Sequence, residues 1–314
     1  MLNVTLLGCG GGMPMPDRHL SSTILNYKGR KILIDCGEGT QVAMRKVGCG
    51  FKSIDLIQIT HCHGDHTIGL PGLLLSMGGS GRLAPVTIVG PKGITDVIHS
   101  FRATAPILPF DVHIIENLTN LYFKITSEST LEANLDFNLE IKTLSLNHFI
   151  PCLGYNLYYK RNREFLPQKA IANNVPKQLW KRLQNSVNGE EIEYENSIYT
   201  NEMVLGEERR GIKLSVITDT RPIDTIPDFI KDSDLLICES NYGSDEDTHK
   251  AIINKHMTFR EAATLAKLGD CEKLLLTHFS PALTNPDEYI NNAQSLFSNT
   301  IIGKDGLTLS LQYK

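Results

Sequence analysis

The stretch ITHCHGDHTIGLPGLLL, residues 59–75, places three histidines and one aspartate within the six residues 61–66. The apolar run IDLIQIT, residues 54–60, leads into it and is typical of a buried strand. The histidines therefore lie on a turn that leaves a strand. Crowded imidazoles would be costly to bury without an ion to satisfy them, so this loop predicts a metal site.

The spacing inside the loop indicates two neighbouring points of attachment. His61 and His63 are two residues apart and can face one point, whereas Asp65 and His66 can face another. Imidazole together with carboxylate suits Zn²⁺ first and Mn²⁺ or Fe next. One loop cannot complete two sites, so further ligands must come from elsewhere in the chain.

Three later residues follow apolar runs in the way that a ligand at a strand end would. His148 follows IKTLSL, Asp219 follows KLSVIT and His278 follows KLLLT. A single His or Asp at a strand end is commonly a cap or a surface group. The residues by themselves therefore leave that alternative open for each of the three.

Composition describes an ordinary globular protein. Of 314 residues, 41% are hydrophobic and 21% are charged. No apolar run approaches the ~20 residues that span a bilayer, and the N-terminus MLNVTLLGCGGG lacks a basic start and a cleavage pattern, so we expect a cytoplasmic protein with no membrane partner. The seven cysteines never form a CxxC pair, which argues against a disulfide framework or a thiolate zinc site.

The secondary-structure pattern predicts an α/β fold. Short runs rich in β-branched and apolar residues, bounded by Gly, Asp or Asn, recur in both halves of the chain. Helices are predicted at residues 67–77, 258–269 and 286–297. Strands in both halves with helices after them indicate two sheets packed face to face with helices outside.

The middle of the chain is basic, although the net charge is −4. Residues 160–182 contain one acid, Glu164, and the single tryptophan, Trp180. The basic residues of this segment are Lys160, Arg161, Arg163, Lys169, Lys177, Lys181 and Arg182. Either they form a solvated surface, or they neutralise the phosphates of RNA.

Residues 61–66 match the HxHxDH signature of the metallo-β-lactamase superfamily, and the wider chain resembles the ribonuclease Z group within it. The blocks that carry this resemblance in the family's order are LIDCGEGTQ (33–41), THCHGDHTIGLPGLL (60–74), GPKG (90–93), LNHFIPCLGY (146–155), ITDTRP (217–222), HMTFREAA (256–263) and LLLTHFS (274–280). The resemblance implies an αββα sandwich of two mixed β-sheets flanked by helices, as a single domain over residues 1–314. The basic segment would be an inserted arm at residues 160–206.

The resemblance also implies an activity: a zinc-dependent endoribonuclease that removes the 3′ trailer from precursor tRNA and leaves a 3′-hydroxyl. Two Zn²⁺ per subunit, with Mn²⁺ or Fe as alternatives, would activate the attacking water and stabilise the leaving oxygen. One ion would be held by His61, His63 and His148, the other by Asp65, His66 and His278, with Asp219 bridging both. The family further implies a homodimer in which the arm of one subunit grips tRNA cut by the other.

Catalytic roles follow from the same resemblance. Asp65 would accept the proton of the attacking water, His256 would donate a proton to the leaving oxygen, and Glu239 would orient His256. Asp35 would tie the ligand loops together by hydrogen bonds. From the residues alone, His256 could instead simply sit near the start of a helix.

The chain departs from the family pattern in places that bear on substrate recognition. The loop PMPDRHLSS, residues 14–22, keeps Arg18 but has His19 where the family has Asn. The residues predicted to bind substrate are Arg18, Lys160, Arg161, Arg163, Lys177, Trp180, Lys181 and Arg182. The alternatives are a hydrolase of a small phosphodiester, sulfate ester or lactone, and a non-catalytic RNA-binding module.

Overall fold

The structure, a computed structural model, describes residues 1–105, 107–125, 131–133 and 138–314. Within these ranges the strands are β1 (Leu2–Gly8), β2 (Ser22–Tyr27), β3 (Arg30–Ile34), β4 (Ile54–Gln58), β5 (Val86–Gly90), β6 (Val112–Glu116), β7 (Asn120–Ile125), β8 (Leu131–Ala133), β9 (Leu139–Ser145), β10 (Leu153–Arg161), β11 (Glu191–Tyr194), β12 (Ser197–Thr200), β13 (Arg209–Ile217), β14 (Leu235–Glu239), β15 (Leu274–Thr277), β16 (Thr300–Ile302) and β17 (Thr308–Leu311).

The helices in the same ranges are α1 (Thr40–Lys46), α2 (Gly64–Thr67), α3 (Leu70–Gly79), α4 (Ile94–Arg102), α5 (Pro167–Ala172), α6 (Trp180–Gln184), α7 (Ile226–Ile230), α8 (Thr248–Asn254), α9 (Phe259–Leu268) and α10 (Ile290–Gln294). None of these helices has the length and apolar character that crossing a membrane requires.

Two large sheets organise the chain. The first has the order β17-β1-β2-β3-β4-β5-β6, and the second has the order β16-β15-β14-β13-β10-β9-β7-β8. Strands β3 to β6 pair in parallel, and so do β13 to β16. Because the carboxyl ends of parallel strands meet at one edge of a sheet, the loops after these strands gather there.

The layers form an αββα sandwich, which confirms the predicted fold class. Buried residues of α1, α3 and α4 join one core cluster with the first sheet, and those of α7, α9 and α10 join another with the second. The central strands β4 and β14 are buried at every position, as expected of strands covered on both faces. Tyr155 of β10 donates a hydrogen bond at 2.7 Å to the carbonyl of Ile59, which follows β4, and this bond links the two sheets.

Two of the predicted helices are broken in the structure. The helix predicted at residues 67–77 is preceded by the short α2, and α3 starts afresh with Pro71 in its first turn, where a missing N–H costs nothing. The helix predicted at residues 286–297 is a 3₁₀ turn, Pro286–Tyr289, that continues into α10. Strands β7, β8, β11, β12, β16 and β17 are additional to the predicted set.

The chain divides into two compact units. One comprises residues 1–158 and 212–312, and the other comprises residues 159–211 and 313–314. The second unit contains the predicted arm but is wider than residues 160–206, because its limits fall within β10 and β13 and it includes the last two residues. It holds α5, α6 and the β11–β12 hairpin around its own apolar cluster, which includes Val175, Leu179 and Leu183.

Candidate metal centre

The loops that follow β4, β9, β13 and β15 bring the seven predicted ligand side chains together in the first unit. They form two groups, and within each group the ligand atoms lie within 4.8 Å of one another. The first group is His61, His63, His148 and Asp219, and the second is Asp65, His66 and His278.

In the first group the ring nitrogens converge on one point. His61 Nε2 lies 3.0 Å from His63 Nδ1, and His148 Nε2 lies 3.3 Å from the same Nδ1. Asp219 Oδ2 lies 3.5 Å from His61 Nε2 and 3.9 Å from His148 Nε2. Three nitrogens and one carboxylate oxygen are the donor set of a tetrahedral zinc site.

The second group has the same character. His66 Nε2 lies 3.1 Å from His278 Nε2, and Asp65 Oδ2 lies 3.5 Å and 3.4 Å from these two nitrogens. Asp219 approaches this group with its other oxygen, Oδ1, which lies 3.5 Å from His66 Nε2 and 3.3 Å from His278 Nε2. Asp219 therefore offers one oxygen to each group, which is the arrangement of a carboxylate that bridges two ions.

The pKa values of His61, His148 and Asp65 are shifted toward the forms that bind metal. Burial lowers the pKa of His61 well below its ordinary value, and the positive charge of His66 adds to this. Burial also lowers the pKa of His148. For Asp65, burial raises the pKa, but the charge of His66 and a hydrogen bond from His278 outweigh it and hold the pKa well below its usual range. Neutral imidazole and ionised carboxylate are the forms that bind metal.

His66 is held by a buried carboxylate behind it. Asp35 Oδ2 lies 2.8 Å from His66 Nδ1, and Asp35 also accepts from the backbone N–H of Thr60 at 2.8 Å and from its hydroxyl. Burial lowers the pKa of His66, but Asp35 and Asp219 outweigh it and raise that pKa well above its ordinary value. With its Nδ1 proton directed to Asp35, His66 turns Nε2 toward the second group.

Three residues of the site have a left-handed backbone conformation. Asp35, Asp219 and His278 have φ values of 58°, 21° and 60°, in the left-handed region that side chains with a Cβ rarely adopt. Each follows the end of a strand: β3, β13 and β15. Strained conformations of this kind persist where the surroundings hold a side chain in one direction.

The glycine-rich loop after β1 lies against the second group. A Cβ on Gly11 would lie 2.4 Å from Cε1 of the His278 ring, and the Gly12 N–H donates to Asp65 Oδ2 at 2.7 Å. Asn241, which follows β14, fixes His278 from the other side by donating to its carbonyl at 3.1 Å. Asn241 and Gly11 are absent from the predicted site, although both stand beside predicted strands, which is the signal that could have drawn attention to them.

His256 faces the same centre beside Glu239. Its Nδ1 lies 3.1 Å from Glu239 Oε1 and 4.0 Å from Asp219 Oδ2. Glu239 is fully buried and also accepts from the backbone N–H of Thr220 at 3.0 Å and of Asn241 at 3.2 Å. Burial lowers the pKa of His256, but Glu239 outweighs it and raises that pKa to about 9. This shift favours the protonated imidazole at neutral pH.

Arg18 and His19 make contacts within the protein. Arg18 is 7% exposed, and its guanidinium donates to the carbonyls of Ser280, Leu283 and Thr284. It anchors the loop after β15, and its role in substrate binding stays a prediction. His19 Nδ1 lies 2.6 Å from Asp305 Oδ2.

Of the residues predicted to bind substrate in the second unit, some make contacts within that unit and others are exposed. Trp180 packs against Phe165 at 5.3 Å between ring centroids and donates Nε1–H to the Val175 carbonyl, so it serves the core of that unit.

Among the basic residues, Arg163 pairs with Glu202. Arg161 contacts the Lys314 carbonyl and the Tyr313 ring, and the Lys160 carbonyl accepts from the Tyr313 hydroxyl. Lys177 is exposed on a second 3₁₀ turn, Lys177–Leu179, and Lys181 and Arg182 are exposed on α6.

Comparison with known proteins gives full-length matches. The chain is 55% identical to ribonuclease Z of Clostridium perfringens over 318 residues, covering 100% of each chain. It is 56% identical to ribonuclease Z of Clostridioides difficile over 313 residues, covering 100% of this chain and 99% of that one. The crystal structure of human tRNase Z, short form, superposes with a TM-score of 0.67 at 25% identity, covering 99% of both chains. A family model described as anti-Pycsar protein Apyc1 matches residues 2–165.

Proposed function

Because the chain belongs to the ribonuclease Z family along its whole length, and over residues 2–165 also to the family of the Apyc1 model, we propose a specific reaction for it. It is a metal-dependent endoribonuclease that cuts the 3′ trailer from precursor tRNA and leaves a 3′-hydroxyl on the tRNA. The observation that carries this proposal is the division of the two Asp219 oxygens between two groups of ligands.

The residues of the centre would hold two ions, Zn²⁺ or alternatively Mn²⁺ or Fe. One belongs with His61, His63 and His148, the other with Asp65, His66 and His278, and Asp219 is shared. When bound, such a pair of divalent ions polarises a phosphoryl oxygen and makes water a stronger nucleophile near neutral pH.

The side chains around the centre supply the proton transfers. Asp65 is the proposed acceptor for the proton of the attacking water, and the Gly12 N–H orients one of its oxygens. His256 holds Nδ1 against Glu239 and lines the cleft, which leaves Nε2 to donate a proton to the leaving 3′ oxygen. The cleft has a volume of about 360 Å³ and includes His63, Asp219 and His278 in its walls.

The second unit is the proposed tRNA grip. Lys177, Lys181 and Arg182 are three exposed cations within six residues of the chain. Such cations would neutralise tRNA phosphates. We also propose a cytoplasmic location.

A homodimer completes the proposal, with the arm of one subunit serving the centre of the other. Exposed apolar side chains on adjacent helices support it: Val42 on α1 is 48% exposed and Leu75 on α3 is 46% exposed. The two helices touch, since a Cβ on Gly72 would lie 2.7 Å from Gln41 Nε2. Sedimentation of the purified protein tests this part.

The activity is tested by cleavage of a 3′-extended tRNA beside bis(p-nitrophenyl) phosphate, before and after chelation. We expect one cut directly 3′ of the nucleotide that follows the acceptor stem, lost on chelation and restored by Zn²⁺ or Mn²⁺. Hydrolysis of the small ester with intact tRNA left uncut would move the protein to a small phosphodiester substrate.

A further inference from the structure

The exposed aromatic ring of Phe149 lines the cleft beside the metal centre. It directly follows His148, and 61% of its surface is exposed. Isolated apolar residues at a surface are ordinary and need no explanation. This ring differs from them because it borders a cleft whose other walls are predominantly ligands and polar groups.

The loop that carries Phe149 is pinned on both sides. His148 Nδ1 lies 3.3 Å from the Lys255 carbonyl, and Lys255 Nζ donates back to the His148 carbonyl at 3.1 Å. The N–H of Asn147 donates to the Thr220 hydroxyl at 2.9 Å. These bonds hold the ring at a set position relative to the His148 ligand.

The surroundings of the ring leave room for a planar partner. Lys255 Nζ lies 5.1 Å from the ring centroid on one face, and the His148 ring touches it at a 60° tilt with centroids 5.4 Å apart. Phe149 lines the cleft and is largely exposed, so its ring offers accessible surface to a ligand bound there. A flat aromatic face next to a cation fits a nucleobase, because every base stacks through its π-face whatever its sequence.

The position of His256 indicates which nucleotide is within reach. The His148 ring is a neighbour of both, with its centroid 5.5 Å from that of His256 and 5.4 Å from that of Phe149. On the proposed function, on which this inference rests, His256 donates a proton to the leaving 3′ oxygen. We propose that Phe149 stacks on the base of the nucleotide that carries this oxygen, the last nucleotide of the product tRNA.

The stacking role is tested by combining substitution of Phe149 with removal of single bases from the substrate. Precursor tRNA is prepared with its normal base, with an abasic residue at the last product nucleotide, or with an abasic residue at the first trailer nucleotide. For the intact substrate, Phe149→Ala should lower kcat/KM by roughly tenfold to a hundredfold, the usual loss for one stacked base. The same loss is expected for the trailer abasic substrate. For the product abasic substrate, wild type is already impaired and Phe149→Ala should change little.

Three controls accompany the cycle. Phe149→Trp should keep activity on the intact substrate, because the larger ring still stacks. Leu83→Ala removes another exposed apolar side chain, one outside the cleft lining, and should leave all three substrates unaffected. Metal content per subunit should stay equal in wild type and Phe149→Ala.

The outcomes separate the two proposals. An equal loss on intact and product abasic substrates would overturn the stacking role and point to positioning of His148 instead. No loss on the intact substrate would overturn it as well. If wild type does not cut intact precursor tRNA at all, the proposed function itself fails, whatever the Phe149 variants show.

Discussion

Asp219 connects the two ligand groups because its carboxylate oxygens point in different directions. Oδ2 faces His61 and Oδ1 faces His278, and the Thr218 hydroxyl donates to Oδ1 at 2.6 Å. Its left-handed backbone orients the side chain toward both groups. At this scale the chemistry depends on a few distances near 3.5 Å, so small displacements should have large effects.

Gly11→Ala tests the contact between the glycine loop and the second ligand group. The new Cβ would lie 2.4 Å from the His278 ring, so this ring must move. If the centre holds the two proposed ions, bound metal should fall toward one ion per subunit and cleavage should fall by about a hundredfold. Elemental analysis and cleavage rates measure both. Gly79→Ala, with no neighbour within 4 Å, is the matched control, and an equal effect there would contradict the reasoning.

Asp65→Ala separates chemistry from binding. It removes both a ligand and the proposed proton acceptor, so cleavage should fall by at least about a thousandfold. Precursor tRNA should still bind within about threefold of wild type, because the exposed cations of the second unit are untouched. Binding by filter retention and single-turnover cleavage give the two values. The exposed Asp96→Ala is the control, and loss of binding in Asp65→Ala would speak against separate roles.

Glu239→Gln tests the acid role of His256. A protonated imidazole is needed to donate, so activity is present below the His256 pKa and lost as pH rises through it. Glu239 raises this pKa to about 9, and an amide lacks the charge that does so. The alkaline limb of the single-turnover rate should therefore move to lower pH. An alkaline limb at the wild-type pH would exclude His256 as the donor.

At the scale of elements, α9 supports His256 through its N-terminus. Thr258 and Glu261 form a capping box, in which the Glu261 carboxylate accepts from the Thr258 N–H at 2.9 Å. Arg221 donates to Glu261 Oε2 at 3.0 Å and also to the His256 carbonyl. Hydrogen bonds thus join the start of α9 to the loop that carries the proposed acid, His256.

Thr258→Ala should weaken these hydrogen bonds at the start of α9. Loss of the N-cap should lower the free energy of unfolding by about 1 kcal/mol, measured by denaturant titration. Thr264→Ala, at an exposed position inside α9, should leave stability unchanged or slightly raised because alanine favours helix. Equal destabilisation by the two variants would show that the cap contributes nothing particular.

At the scale of the whole molecule, the sandwich supplies the centre and the second unit supplies exposed positive charge. Each has its own apolar core, so charge can be removed from one without disturbing the other. This separation makes tRNA recognition testable independently of hydrolysis.

Combined replacement of Lys177, Lys181 and Arg182 by Ala should therefore weaken the reaction with precursor tRNA but not with a small ester. We expect KM for precursor tRNA to rise by about tenfold or more, and the slope of log affinity against log salt to fall by about 2 to 3. Hydrolysis of bis(p-nitrophenyl) phosphate should be unchanged. Replacing the exposed Lys28, Lys52 and Lys267 is the matched control. Equal losses on tRNA and the small ester would refute a recognition role for these cations.

Local patterns in the chain were enough for the metal loop, the layer order and most of the strands, but not for β7, β8, β11, β12, β16 and β17. Apolar runs such as residues 54–60 and the cluster at 61–66 act over a few residues, so they are visible without a structure. The role of the seven side chains as ligands stays a prediction, but their convergence is a fact of the fold.

Tertiary structure alone decided what distant residues do to one another. Arg18 is as basic as Lys181, yet only packing shows that one is buried against carbonyls and the other is exposed. Likewise Trp180 belongs to a core and Phe149 to a cleft, although both are aromatic residues in loop or helix context. The physical reason is that such contacts depend on sheet order and strand ends, which join positions hundreds of residues apart, whereas residue pattern reports only on neighbours along the chain.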